Sequence, residues 1–349
     1  MEAAVYKGIE EIEIKQIERP EPGPGEALMK IGAGGVCGTD LRIFANGHHR
    51  IPPGTRRILG HELAGEIIAV GERVSSLTLG DRVGVAPNIG CGVCTQCVAG
   101  WTNLCEDYQA FGISLDGAFA DYMLISREAI QQGNVVKIPK DFPFTQAALA
   151  EPLSCCLNGQ EAVQVTTGDV VLVVGAGPIG MMHARLAKLR GASTVIVSEF
   201  SESRLRAAEE LGADVAVNPN EASLDEIVRR HSDSEGADVI IVAAPAPSAQ
   251  EESLELAARQ GRINFFGGLP KDRPHIEFNS NLVHYKQLIV TGTTGSNVRQ
   301  YRTSMDLLVH GRIDLAPFVS ATLPLTAIHE AFERAQAGEE MRILLEPSG

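Results

Sequence analysis

Over the first 145 residues, apolar positions come in short bursts cut by glycine and proline. Glu11-Ile12-Glu13-Ile14 alternates with period two, and Pro20, Pro22, Gly23, Pro24 and Gly25 then enforce a turn. Similar apolar segments span 27–31, 63–70, 82–86, 118–125 and 135–138, and several short strands divided by turn residues predict a small barrel or rolled sheet. An alanine- and leucine-rich run from Thr145 to about Val165 changes to helical spacing. Beyond it, strand-like segments at 170–174, 194–198, 214–217, 238–243, 262–266 and 287–292 alternate with helical ones such as 201–211 and 222–231. That alternation predicts βαβ units and a parallel sheet. Two helices, near 300–310 and 326–336, and a strand at 341–346 close the pattern.

The chain has 349 residues, enough for two or three domains. Against 44 acidic residues stand 30 lysines and arginines, a formal charge of −14, with no basic stripe to track a phosphate backbone; nucleic acid is not an expected partner. No apolar run approaches membrane-spanning length, so no membrane association is expected. The start, Met1-Glu2-Ala3-Ala4-Val5, lacks a secretory pattern, and a cytoplasmic protein is expected.

Seven cysteines carry more information than the charge does. Four of them, Cys91, Cys94, Cys97 and Cys105, are spaced x2, x2 and x7 in a glycine-rich loop (about 88–108) with no evident secondary structure. Four thiolates so close can form a closed tetrahedron around zinc, which makes a structural site. Gly175-Ala176-Gly177-Pro178-Ile179-Gly180 directly follows an apolar strand and opens a helix. Its glycines permit a tight turn, close approach of a pyrophosphate and close helix packing, while the helix N-terminus offers unpaired N–H groups. Glu199 ends the next strand, nineteen residues after Gly180, where a carboxylate accepts hydrogen bonds from ribose hydroxyls and repels a 2′-phosphate. The order predicts a dinucleotide site favouring NAD over NADP.

A third constellation is dispersed: Cys37-Gly38-Thr39-Asp40, Gly60-His61-Glu62 and Glu151-Pro152-Leu153-Ser154. A thiolate, an imidazole and a carboxylate form a ligand set that can leave one zinc position open to substrate. With Gly60-His61-Glu62-x2-Gly65-x-Ile67, the four-cysteine lobe and the glycine turn in this order, nearly the whole chain resembles the zinc-containing medium-chain alcohol dehydrogenase family. Glu151-Pro152-Leu153-Ser154 resembles the polyol, sorbitol-type branch, with threonine dehydrogenases as neighbours. The resemblance implies a GroES-like, β-rich catalytic domain (1–150), a Rossmann, doubly wound NAD-binding domain (151–295) and a segment (296–349) returning to the first. It implies two zinc ions per subunit, the catalytic one bound by Cys37, His61 and Glu62, with Glu151 a further ligand or the holder of a zinc-bound water. Asp40 would orient His61, and Thr39 would hydrogen-bond the substrate hydroxyl. Arg204 would lie near the adenine ribose, and Phe266, Gly267 and Thr293 at strand ends beside the nicotinamide.

Two positions depart from the family pattern. Where members place a relay histidine three residues after Thr39, this chain has Arg42, which cannot accept a proton near neutral pH. The relay would then end in water, Glu151, His48 or His49. The arginine and tyrosine with which sorbitol dehydrogenases hold polyol hydroxyls are replaced by Gly295-Ser296, and Arg50, Arg56 and Arg57 form either an anion-recognising cluster or a solvated basic loop. The expected activity is hydride transfer between NAD and a secondary alcohol of a polyol, sugar or sugar derivative, with threonine-type or other secondary alcohols as the alternative and a non-enzymatic nucleotide-binding protein as a remote one. An apolar edge strand at 287–292 points to a homo-oligomer, dimer or tetramer. Cys155 and Cys156 are expected to be buried packing residues.

Overall fold

The computed structural model describes residues 1–233 and 235–347. They form two compact units, Met1–Ser154 with the segment from Gly295, and Cys155–Thr294. No helix among the described residues is long and apolar enough to cross a membrane.

The first unit is built on a seven-stranded sheet. Its central strand, Ala27–Gly35, pairs antiparallel with Glu62–Val70 on one side and with Tyr122–Ile125 and the C-terminal strand Arg342–Glu346 elsewhere along its length. Leu344 and Leu345 sit opposite Gly35 and Gly34, so the last strand adds its edge beside the turn that carries Cys37. Two apolar clusters flank the sheet. Ile31, Leu63, Ile67, Val83 and Phe111 belong to one, and Val5, Ile43, Leu59, Phe119 and Phe332 to the other. Ala27–Gly35 is buried along most of its length, whereas period-two alternation shows in Glu11–Gln16 of a separate three-stranded sheet, where Ile12 is buried between exposed Glu11 and Glu13.

The second unit is a six-stranded, wholly parallel sheet. Its order, Val215–Val217, Thr194–Ser198, Val170–Val174, Ala237–Val242, Ala257–Phe265, Ile289–Gly292, is 3-2-1-4-5-6 in chain order. That is the doubly wound arrangement in which ligands sit beyond the carboxyl ends of the strands where the order reverses. Strands 170–174 and 194–198 match the expected bounds, because continuous valine and isoleucine runs covered on both faces leave no ambiguity.

Other expectations shift. The segment after Cys37 is a helix, Gly38–Asn46, which Asp40 closes by accepting the Cys37 N–H at 2.9 Å. Of 118–125 only Tyr122–Ile125 joins the ladder; Ala118 and Phe119 instead hydrogen-bond Gly60 and Leu59. The run from Thr145 divides into Phe144–Ala148 and Ala150–Ala162, which puts Glu151 and Pro152 in a first helical turn, where proline's missing N–H costs nothing. The fifth parallel strand starts at Ala257, five residues early, with a register shift that absorbs the left-handed Gln260. Helices Pro247–Leu256 and Ser280–Lys286 and strand Val319–Pro324 have no counterpart in the sequence reading. The cysteine loop contains short helical turns, Thr95–Val98 and Thr102–Leu104. Cys156 is buried and Cys155 half-buried.

Within the second unit His183, on the helix that follows the glycine turn, is fully buried with neither ring nitrogen hydrogen-bonded, its ring edge-on to Phe266 at 4.6 Å. Burial holds its pKa down at about 3, so the folded protein refuses a proton that the unfolded chain takes up near pH 6.5. Stability contributed by the neutral ring is therefore whole above 6.5 and falls as the pH drops from there towards 3, by about tenfold in the folding equilibrium per pH unit. We expect His183→Leu to flatten this part of the acid limb in urea titrations at fixed pH. Parallel acid limbs for variant and wild type would contradict the assignment.

Candidate functional site

In the first unit the ends of the strands Ala27–Gly35 and Glu62–Val70 and the start of the helix Gly38–Asn46 converge on Cys37, His61 and Glu62, whose donor atoms all lie within 4.8 Å of one another. Gly60 precedes them with φ +91°, a conformation that side chains rarely adopt, and this turns His61 inward. Asp40, entirely buried, ties the group together. Its Oδ2 accepts the Cys37 N–H, its Oδ1 accepts the Gly60 N–H at 3.2 Å, and the same Oδ1 faces His61 Nδ1 at 3.4 Å. The imidazole is thereby held with its other nitrogen available, the arrangement that metal-binding histidines use.

Glu62 is wholly buried, and Gly35 makes room for it: a Cβ there would fall 2.3 Å from Glu62 Oε2. Arg342, from the C-terminal strand, pairs with Glu62, with Nη2 at 3.1 Å from Oε1 and Nη1 donating to the Val36 carbonyl. The ion pair leaves both carboxylate oxygens and His61 Nδ1 without a directed hydrogen bond. Burial alone would lower the His61 pKa, but the negative charges of Asp40 and Cys37 outweigh it and raise that pKa well above its ordinary value. Two carboxylate oxygens without a hydrogen bond, beside a cysteine sulfur and an imidazole with its second nitrogen available, fit a divalent cation, and a thiolate–imidazole–carboxylate set suits zinc.

Glu151 is buried nearby but stands outside the three-donor group, close enough for its charge to act on Arg342 and Tyr301. Ser154, one turn on, hydrogen-bonds Ser296 at 2.6 Å, with both side chains buried. The Gly295-Ser296 segment thus packs against the Glu151 turn. Thr39 is half-buried and accepts a hydrogen bond from Arg42 at 2.9 Å. Of the three loop arginines, Arg57 pairs with Asp116 at 2.9 Å, Arg50 donates to the Glu106 carbonyl at 2.7 Å and covers the Tyr108 ring, and Arg56 is exposed. His48 and His49 stack at 4.4 Å, with His48 Nδ1 accepting the Arg50 N–H.

Cys91, Cys94, Cys97 and Cys105 form the second donor group, again within 4.8 Å, with Cys91 and Cys97 sulfurs 4.0 Å apart. A tetrahedron of sulfurs about 2.3 Å from zinc has edges of about 3.8 Å, so the cage fits the ion. N–H groups of Val93 and Cys94 bring the Cys91 thiol down to about 7, while burial pushes Cys97 up to about 12. Sulfurs this close ionise together only around a cation.

In the second unit the glycine turn has the expected build. Gly175 has φ +103°, and a Cβ on Gly180 would fall 1.8 Å from the Gly175 carbonyl, so helix and strand approach as closely as backbones can. Glu199 Oε2 accepts the Ala176 N–H at 3.0 Å, and Oε1 accepts those of Phe200 and Ser201. Burial would raise its pKa, but these bonds and Arg204, at 3.5 Å, hold the carboxyl below its ordinary range. Pro178 and Ile179 begin the helix, with Gly177 as its cap. Phe266 and Gly267 follow the fifth strand, both N–H groups bonded to the Val242 carbonyl, and Thr293 follows the sixth, beside Asn264 at 3.4 Å. All lie at carboxyl ends of parallel strands.

Arg342 was not foreseen. Its only trace in the sequence is an arginine opening an otherwise apolar terminal strand, Arg342-Ile343-Leu344-Leu345. We expect Arg342→Met to cost roughly 3–5 kcal/mol in urea unfolding of metal-free protein, since it leaves the Glu62 charge buried without a counter-charge, and clearly less once zinc supplies one. Arg342→Lys should retain part of the stability. Equal losses with and without zinc would overturn this role.

A model described as zinc-binding dehydrogenase matches residues 178–310, and one described as alcohol dehydrogenase GroES-like domain matches residues 23–140. The chain is 36% identical over 337 residues to the L-threonine 3-dehydrogenase of Pyrococcus furiosus, covering 95% of this chain and 94% of that one. It is 31% identical over 335 residues to the sorbitol dehydrogenase of Halalkalibacterium halodurans, with 95% and 94% covered. A Sinorhizobium meliloti structure, described as a zinc-binding dehydrogenase bound to NADP, matches with TM-score 0.91 and 32% identity over 99% of both chains.

Proposed function

We propose that this chain, which belongs to the zinc-containing medium-chain alcohol dehydrogenase family, is an NAD-dependent dehydrogenase converting a secondary alcohol of a polyol, sugar or sugar derivative to the ketone. The Cys37–His61–Glu62 group, with His61 and Glu62 buried, Cys37 half-buried and Asp40 behind it, is the observation that carries this reading.

When bound, zinc supplies Lewis acidity at the substrate oxygen and NAD accepts the hydride. Cys37, His61 and Glu62 would hold the catalytic ion and Cys91, Cys94, Cys97 and Cys105 the structural one. Asp40 keeps the imidazole in its binding orientation, and Thr39 presents a hydroxyl to the substrate oxygen. Glu151, outside the three-donor group, is suited to hold a water or a proton near the reacting oxygen. Arg42 cannot take that proton.

On the cofactor side, the N–H groups after Gly177 meet the pyrophosphate and Glu199 meets the ribose hydroxyls. Phe266, Gly267 and Thr293 are assigned to the nicotinamide end and Arg204 to the adenine ribose. A carboxylate pinned by three N–H bonds cannot swing aside for a 2′-phosphate, which supports NAD although the Sinorhizobium relative was crystallised with NADP.

Threonine is the second reading, favoured by the 36% identity to a threonine dehydrogenase. The strand Ile289–Gly292 lies at the sheet edge with Ile289 exposed, which supports edge-to-edge pairing into a dimer or, as the family resemblance suggests, a tetramer.

Metal analysis should find two zinc ions per chain. Initial rates of NADH formation on sorbitol, xylitol, 2,3-butanediol and L-threonine, measured side by side, decide the substrate class; no NADH with any of them, in protein carrying both metals, refutes the reading. Cys37→Ser should lower the rate by about a hundredfold or more while one zinc remains. Glu199→Ala should raise kcat/KM with NADP relative to NAD at least about tenfold, or ~1.4 kcal/mol; an unchanged ratio removes Glu199 from cofactor selection.

A further inference from the structure

The Arg42–Thr39 contact does more than leave a relay without its end. On the helix Gly38–Asn46 the two residues are three apart and share a face, and Arg42 Nη2 donates to Thr39 Oγ1 at 2.9 Å. A guanidinium has five donors and no acceptor; a threonine hydroxyl has one donor and two acceptor positions. With one acceptor position taken by a cation, the hydroxyl becomes a stronger donor and a poorer acceptor. Among the described residues no bond uses the Thr39 proton, so it stays available to a ligand oxygen.

We propose that Arg42 is a positioning residue that fixes the Thr39 hydroxyl as a hydrogen-bond donor, so that the site favours substrate oxygens that only accept, an alkoxide or a ketone, over a neutral alcohol. The proposal rests on Thr39 facing the substrate oxygen as in the function proposed above. An imidazole at position 42 could take the proton that threonine passes on. The guanidinium exchanges that route for a fixed polarity, and the substrate proton leaves by another group.

Binding of dimethyl sulfoxide, a neutral mimic of a carbonyl oxygen, to zinc-loaded protein with NADH tests this without turnover, by the change in NADH fluorescence. Arg42→Ala and Thr39→Val should each weaken sulfoxide binding about fivefold, and the double variant should be no weaker than Thr39→Val alone. Arg42→Gln, which keeps an uncharged amide NH2 as donor, should recover part of the loss. Neither zinc content nor NADH affinity should change, and both serve as the check that the variants are folded. Independent, multiplying losses, an unaltered affinity in Arg42→Ala, or wild-type protein that binds NADH but no sulfoxide would each overturn the role of Arg42. Wild-type protein that binds no NADH at all would instead overturn the dehydrogenase reading itself.

Discussion

A carboxylate with no access to water is the constraint around which the first unit is arranged. Among the described residues Arg342 is the arginine or lysine that pairs with Glu62, and an uncompensated buried charge costs several kcal/mol. The compensation comes from the far end of the chain, which is why the C-terminal strand must return to the sheet beside Gly35 instead of ending elsewhere. The pair remains incompletely satisfied, because Arg342 also serves the Val36 carbonyl and neither Glu62 oxygen has a directed hydrogen bond. That residual demand, shared with Cys37 and His61, is what makes the pocket a metal site and not merely a buried ion pair. Asp40 then converts a cluster of charges into a fixed geometry by bonding two backbone N–H groups that frame the ligands.

The two metal sites embody different solutions. In the cysteine lobe all four donors come from fifteen consecutive residues, and backbone N–H groups of the same loop already face the sulfurs. Little depends on the rest of the fold, and apolar side chains such as Val93 and Val98 stay exposed there. The Cys37 group draws its donors from two segments, 37 and 61–62, with Arg342 from the C-terminal strand beside Glu62, so it depends on the packing of the sheet.

This difference also explains what could be read from the sequence. The cysteine spacing, the glycine turn and the acid at Glu199 are local patterns with a mechanical reason, and all were legible. So were the valine-rich strands of the parallel sheet, whose burial on both faces leaves its mark in every residue. Asp40 was legible only through its neighbours Cys37 and Thr39. Arg342 was not, because the contact joins positions 280 residues apart and nothing within the strand Arg342–Glu346 announces a partner. Misplaced boundaries have equally specific causes. Gly38–Asn46 is a helix because the Asp40 carboxylate caps it, a side-chain bond that periodicity does not register, and the strand from Ala257 starts early because a register shift absorbs Gln260.

His183 and Asp40 show that burial alone does not decide what an ionisable residue does. Both are completely enclosed. Around His183 the Phe266 ring stands edge-on and neither ring nitrogen has a hydrogen bond, and the ring stays neutral as a packing element. Around Asp40 two N–H groups and an imidazole converge, so enclosure strengthens each of those interactions and the carboxylate becomes an organiser. The glycine turn follows the same logic in the second unit: Glu199 is tied back by three N–H bonds before any cofactor arrives. A side chain preorganised in this way has little freedom left to lose, and its charge stays fixed beside the glycine turn.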